Sequence, residues 1–389
     1  MRKRKYPYPY KAWLTISNDP DNTDMKIWKE LDDLIFNRLS LPWANSIFLS
    51  SHNLNLPDQV NMADHPEISV QPTDTIHTWG DFVHGGARGF SREDALAGMA
   101  LLDQHGIRPL VWVDHSRFTG NLLHGHTWGS RPVHRDSSGI NYTVHEYTLD
   151  LIDQTGVRYI WDGGLTEVIG QDRVRSIWDQ LPGKSRLRSL LTGIKIKVRE
   201  RITTLRKGPS KRSNELYFTH LFPDGRTLYC FQRYGKWRNA DIMGLSRQIS
   251  TNTVDTLIKN QGVMVAYTHL GKKNPELKGD RHVPDETLKC LEHVRKRMDD
   301  GLLNFSALSD LLDYLVIRDH MVIDDRVVDF RTDGIRFSPM KPEDLFRHRF
   351  SLEGVLDHHD VEIRLDGKPL LQAKLQPEAD GVCSIIFRA

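Results

Sequence analysis

Cysteine is scarce. The 389 residues hold three, Cys230, Cys290 and Cys383, far apart and odd in number, which excludes a disulfide framework and a cysteine-built metal cluster. Long apolar runs are also missing. No stretch approaches the roughly 18 residues that a membrane-spanning helix needs, so an integral membrane protein is not expected. The opening MRKRKYPYPY is basic but lacks the apolar run of a secretory signal, and a reducing, cytoplasmic setting is the expectation. There is no phosphate-binding loop, no glycine-rich dinucleotide fingerprint and no serine nucleophile elbow, which removes the commonest nucleotide and acyl-serine chemistries. Charge of one sign is not in excess either. Lys and Arg number 53 against 51 Asp and Glu, a net +2, the balance of an ordinary globular protein. The length suggests one large domain with a smaller one.

What is abundant is histidine: 18 in all, ten of them between His52 and His145. What is regular is a repeating unit of amphipathic helix, glycine stop and apolar strand. Ser91 with Asp94 reads as a capping box, Leu96, Met99 and Leu102 share a helical face, and Gly106 ends the helix before a strand over 107–113. The same order recurs from Leu149 through Gly156 into 157–161, and from Val254 through Gly262 into 263–267. Further strands are expected at 12–16 and 46–49. Helices alternating with short buried strands predict parallel pairing, hence an α/β layer or a distorted (β/α) barrel of about seven parallel strands over residues 1–320. From about Met321 the pattern changes to short alternating stretches, which predict a small antiparallel β module over 321–389.

Polar groups follow each strand. Asn18, Asp19 and Asp21 follow the first, His52 the second, Asp114 and His115 another, Asp162 another and His269 the last. The C-terminal ends of parallel strands are where catalytic groups converge, so this placement predicts an enzyme. TISNDPD puts hard oxygen ligands on a short turn, suited to a divalent metal. In HTWGDFVH, His77, Asp81 and His84 stand at i, i+4 and i+7; on a helix they would share a face, and His77 with Asp81 would grip an ion that Asp19 completes. Trp79 and Trp161 stand near these ends either as sugar-stacking faces or as core packing, and Arg88 either as an anchor for an anionic substrate group or as part of a helix lead-in.

Taken in order, the acidic turn after the first strand, the imidazole heading an i, i+4 pair, the Asp-bearing strand YIWDGG and the late strand VMVAYTHLG resemble the successive motifs of polysaccharide deacetylases, carbohydrate esterase family 4. The resemblance spans roughly residues 12–272. It implies a metal-dependent hydrolase on a distorted barrel that removes an acyl group from an N-acylated sugar, with a divalent metal, zinc first among them. Asp19 would be the metal carboxylate, His77 the first imidazole ligand and His269 the group that protonates the leaving amine. Two positions depart from the family. Asn18 stands where its general base, an aspartate, is expected, and Asp81 replaces its second metal histidine. Asp21, Asp114 or His115 would then supply the base.

Residues 184–212 hold eleven Lys or Arg and one acid, Glu200, within a stretch read as a basic insertion over about 184–236. Without those 29 positions the chain carries about −8. The segment is expected either to meet an anionic membrane surface or an acidic glycan, or to be a solvated surface insertion. A nucleic-acid partner is disfavoured, since no recognition motif accompanies the charge. A peripheral-membrane cytoplasmic enzyme of bacterial surface-polysaccharide metabolism is the composite expectation. Two other classes stay open: a barrel glycoside hydrolase or lyase using carboxylates such as Asp19 and Asp162, and a glycan-binding protein on a catalytically decayed barrel.

Overall fold

The computed structural model of the chain describes residues 1–43, 45–70, 74–82, 90–114, 133–135, 141–143, 148–171, 214–221, 226–236, 240–272, 282–333, 335, 342–355 and 361–387. In chain order the strands are β1 (Arg2–Lys3), β2 (Ala12–Asn18), β3 (Ser46–Ile47), β4 (Thr75–His77), β5 (Val111–Val113), β6 (Val133–Arg135), β7 (Asn141–Thr143), β8 (Tyr159–Thr166), β9 (Tyr217–Leu221), β10 (Thr227–Tyr234), β11 (Val263–Thr268) and β12 (Leu303–Phe305). Eight of them form one parallel sheet in the order β12-β2-β11-β10-β8-β5-β4-β3, with β9 antiparallel on the start of β10. The sheet curls into a half-barrel whose edges are β12 and β3.

The expected strands are present where the apolar runs placed them, three longer and two shorter than read. The run over 107–113 gives a strand only at its end, because Leu110 and Asp74 carry the entry to β4 and β5 through loop hydrogen bonds. Strand β10 lies inside the stretch read as insertion, and it is an inner strand of the sheet. Its sequence TLYCFQRY carries glutamine and arginine at positions that are fully buried, which breaks the apolar pattern of a central strand.

Alternation along the strands assigns two faces. On the convex face, Ala12, Leu14 and Ile16 of β2 and Met264 and Ala266 of β11 pack against helices α1 (Met25–Asp32), α3 (Ile242–Gln248), α4 (Thr251–Lys259) and α5 (Asp285–Asp299). Ile47, Ile76, Trp112 and Ile160 pack against α2 (Arg92–Gln104). Ser91 and Asp94 form the capping box expected of α2, but the buried face is Ala95, Gly98 and Leu102, and Leu96 is exposed. The helix turns its small residues inward because the backbone runs close to the sheet: a Cβ at Gly98 would lie 3.0 Å from Leu49 and 3.1 Å from Trp79.

The concave face is filled. Trp13, Val111, Val113, Tyr159, Tyr229, Val263 and Val265 share one core cluster with helix α6 (Leu308–Asp319), which is buried along most of its length, Ser309 and Asp313 included. Behind it stands the C-terminal module: β13 (Met321–Asp324), β14 (Val327–Phe330), a short helix α7 (Pro342–Phe346), β15 (Phe350–Glu353), β16 (Glu362–Leu365), β17 (Lys368–Pro369), β18 (Ala373–Pro377) and β19 (Val382–Phe387). These strands make two small sheets, β1-β15-β19-β18 and β13-β14-β16-β17. The first is antiparallel throughout and borrows β1; the second contains one parallel pairing, β14 with β16.

Buried charge at this lower end ties barrel to module. Arg158, ahead of β8, bonds Asp313 of α6 at 2.8 Å and Asp344 of α7 at 3.0 Å, and the Tyr159 hydroxyl donates to Asp313 at 2.7 Å. Asp310, one turn from Asp313, has its carboxyl pushed up to about 6 by burial and by the negative charges of Asp74 and Asp313. Its folded value lies above the unfolded 3.8, so the native state binds more protons than the unfolded chain between those two pH values, and stability falls as pH rises through that window. Asp310→Asn is expected to unfold later in urea than the parent at pH 7, by on the order of 1–3 kcal/mol, with the difference gone near pH 4. Equal midpoints at pH 7 would remove Asp310 from the account of stability. Among the described residues no helix is long and apolar enough to cross a membrane.

Candidate functional site

The parallel register of the sheet lines up the ends of its strands. β2 and β11 pair so that Asn18 stands beside Thr268, and the Asp19 N–H donates to the Thr268 carbonyl at 2.8 Å. The next residues, Asp19 and His269, are thereby neighbours at the rim. His77 is the last residue of β4 and Arg233 lies next to last in β10. These four groups come from strands far apart in sequence, and the curl of the sheet points them at one another.

Asp19 is fully buried, and Arg233 is equally buried against it, with Nη1 2.6 Å from Asp19 Oδ1 and 3.2 Å from Ser17 Oγ and Nη2 3.4 Å from Oδ2. The guanidinium lies between two rings, 3.3 Å from the centroid of Trp161 and 4.3 Å from that of Tyr267. Stacked faces and a forked carboxylate are what a desolvated guanidinium accepts in place of water. An irregularity in β8 makes room: the β10 register jumps from Phe231 opposite Trp161 to Arg233 opposite Leu165. The extra residues of β8 sit around Gly163 at φ 92°, a left-handed conformation that glycine adopts without strain. The Trp161 Nε1–H donates to the Gly164 carbonyl at 2.8 Å, which fixes the ring under the guanidinium.

Imidazoles close the cluster. His77 Nε2 stands 3.6 Å from Asp19 Oδ2 and 4.0 Å from Asp21 Oδ1; His269 Nε2 stands 3.3 Å from Asp21 Oδ2 and 3.7 Å from Asp19 Oδ2. The Nδ1–H of His269 donates to the Ala240 carbonyl at 2.7 Å, so Nε2 is the atom it offers to the site. Burial alone would raise the Asp19 carboxyl, but Arg233 and then His77 outweigh it and hold it well below the usual carboxylate range. Burial alone would lower His77, and Asp19, with help from Asp21, pulls it up instead. Asp21 is the most accessible member of the group, its side chain 18% exposed.

The remaining candidates fall elsewhere. β4 ends at His77 and Thr78 turns with φ 61°, so the stretch to Asp81 is not helical and the shared helical face does not form. Asp81 instead makes an isolated bridge with Ser51, and its Oδ2 accepts from Asn53 Nδ2 at 3.1 Å. Asp114 is buried at the end of β5, with its N–H donating to the Trp161 carbonyl. Trp79 is core: fully buried, edge-on to Trp112, its Nε1–H donating to Thr148 Oγ1. Trp161 is equally buried and its face is taken by Arg233. Asp162 lies in the irregular part of β8, and its side chain lies outside the described residues. So do His84, Arg88, His115 and residues 184–212.

Sequence reasoning missed Arg233 and Tyr267. An arginine in the apolar run of β10 was the available signal, since a charge in a central strand is retained when it has a partner at the strand end.

Asp19, Asp21, His77 and His269 are a carboxylate and imidazole donor set. Their facing atoms stand 3.3–4.0 Å apart, longer than hydrogen bonds and near the spacing of two ligands that share an ion at roughly 2.0–2.2 Å. Among the described residues, these four included, no three or more His, Cys, Asp or Glu are placed to hold a metal ion together; only pairs of them, such as Asp19 with His77, come within reach of a shared ion. Comparison of the chain with protein-family models, with curated proteins and with solved structures finds no match.

Proposed function

We propose that the chain is a metal-dependent hydrolase that removes an acyl group from an N-acylated sugar. One observation supports this reading above the rest: Asp19, Asp21, His77 and His269 meet at the C-terminal rim of a curled parallel sheet, in the chain order of the deacetylase-like motifs. Asp19 and His77 would hold the ion, zinc being the divalent metal that best suits mixed nitrogen and oxygen donors, and Asp21 and His269 stand beside them. When bound, such an ion supplies Lewis acidity toward an amide carbonyl and acidifies water.

The protein's own groups divide the remaining work. Asp21, the accessible carboxylate, takes the proton of the attacking water. His269 exchanges protons through Nε2 alone, because Nδ1–H is committed to Ala240, and delivers one to the departing amine. Arg233 keeps Asp19 ionised and fixed in direction. By charge, residues 184–212 would bring this site to an anionic membrane surface or an acidic glycan, in the cytoplasm. The reading is tested by metal analysis of the purified protein and an assay for acetate released from N-acetylated sugars. Stoichiometric metal with acetate release is expected; a metal-free preparation that gains no activity from zinc, cobalt or manganese would overturn it.

A further inference from the structure

Asn18 stands where the deacetylase-like motif is expected to carry a base, and the structure gives its amide other work. Strand β12 pairs only with Ala12–Leu14 of β2. Beyond Leu14, no strand among the described residues covers that side of β2. The half-barrel is open there, at the rim where the site lies. Strand β3 belongs to the opposite end of the sheet and pairs with β4 alone, yet the curl brings its start to the end of β2. Ser46 Oγ donates to the Asn18 carbonyl, and Asn18 Nδ2 donates to Asn45 Oδ1 at 2.6 Å. The other end of the same amide faces the loop after β11: Asn18 Oδ1 accepts from the Leu270 N–H at 2.7 Å. His282 Nε2 donates to the carbonyl of Leu270, so the residue that follows His269 is held at both its N–H and its carbonyl.

We propose that Asn18 is a clip that closes the open side of the barrel and, through Leu270, positions His269. The chemistry explains the residue. One side chain has to donate toward Asn45 and accept from Leu270 in a buried place, and an amide does both. A carboxylate would accept from Leu270 but set its second oxygen against Asn45 Oδ1 and bury another negative charge beside Asp19. On this account the missing base does not mark a decayed enzyme. Asn18 is a positioning residue, and the kinetic part of the claim rests on the hydrolase reading above.

The test uses the full chain with Asn18→Ala, Asn18→Asp and Asn45→Ala. Hydrogen exchange, which needs no substrate, is expected to show the Leu270 amide exchanging at least tenfold faster in Asn18→Ala, with amides of α5 unchanged. Acetate release is expected to fall about 10- to 100-fold in kcat with KM within twofold, and Asn18→Asp is expected to lose activity as well. An unchanged Leu270 amide in Asn18→Ala, or an Asn18→Asp enzyme faster than the parent, would overturn the proposal. If Asn18→Ala does not fold, Asn45→Ala breaks the seam contact alone. It should speed exchange at Leu270 about three- to tenfold, and no change there overturns the clip equally. A parent chain that releases no acetate sinks the hydrolase reading and leaves exchange to decide the clip.

Discussion

Arg233→Met is expected to lower the unfolding free energy at pH 7 by about 3–5 kcal/mol, the largest stability effect of any single substitution at the rim. Methionine fills much of the space between Trp161 and Tyr267, so little of the loss comes from packing. Most of it comes from Asp19, which is left fully buried with no guanidinium at 2.6 Å. The imidazoles of His77 and His269 stand too far off for good hydrogen bonds, at 3.6 and 3.7 Å. Asp19→Asn in the same background should return part of the stability, because the buried negative charge that Arg233 balanced is then gone. Urea unfolding of the two single variants and the double variant gives a coupling energy, expected to be well above the 0.5 kcal/mol typical of independent sites. Additive effects would mean that the two groups are neighbours without being partners. Arg233→Lys should fall between, since an ammonium has neither the fork nor the flat face that this slot is built for.

Activity should respond most to the carboxylate and imidazole that face each other across the barrel. Asp19→Asn and His77→Gln keep the shapes of their side chains, and each is expected to cost at least 10²- to 10³-fold in kcat/KM for acetate release. The double variant is expected to be little worse than the worse single one, because groups that act as a unit do not contribute independently. Circular dichroism separates a lost site from a lost fold. Retention of more than a tenth of the parent rate by either single variant would remove that residue from the reaction.

Both expectations rest on residues with different histories in the sequence. Asp19, Asp21 and His269 were legible because they follow apolar runs, and a parallel sheet sends the ends of such runs to one rim; His77 was singled out for its spacing to Asp81, and it reaches the rim as the end of a short strand that the apolar pattern had not marked. Asp81 was misassigned for a physical reason: spacing of four means a shared face only on a helix, and β4 pairs with β3 and β5 instead. The two readings of the tryptophans could not be told apart because rings near polar groups look alike whether they await a sugar, fill a core or stack on an arginine. Trp161 and Arg233 are 72 positions apart in the chain, and only a sheet register carrying a two-residue irregularity puts one on the other. The barrel grammar was readable in its local parts. The role of β10 was hidden by its arginine and glutamine, and the partner of β1 by more than three hundred residues of separation.

That last pairing reaches past the finished shape into how it is made. β1 hydrogen-bonds to β15, Arg2 opposite Glu353 and Lys3 opposite Leu352, and among the described residues much of the concave wall of the barrel is covered by α6 and the strands after it. During synthesis β1 therefore waits for a partner made more than three hundred residues after it. Contacts of such long sequence separation slow folding and prolong the exposure of apolar surface. Completion is an act of closure from the C-terminal side, and the barrel is finished only when the chain that caps it has arrived.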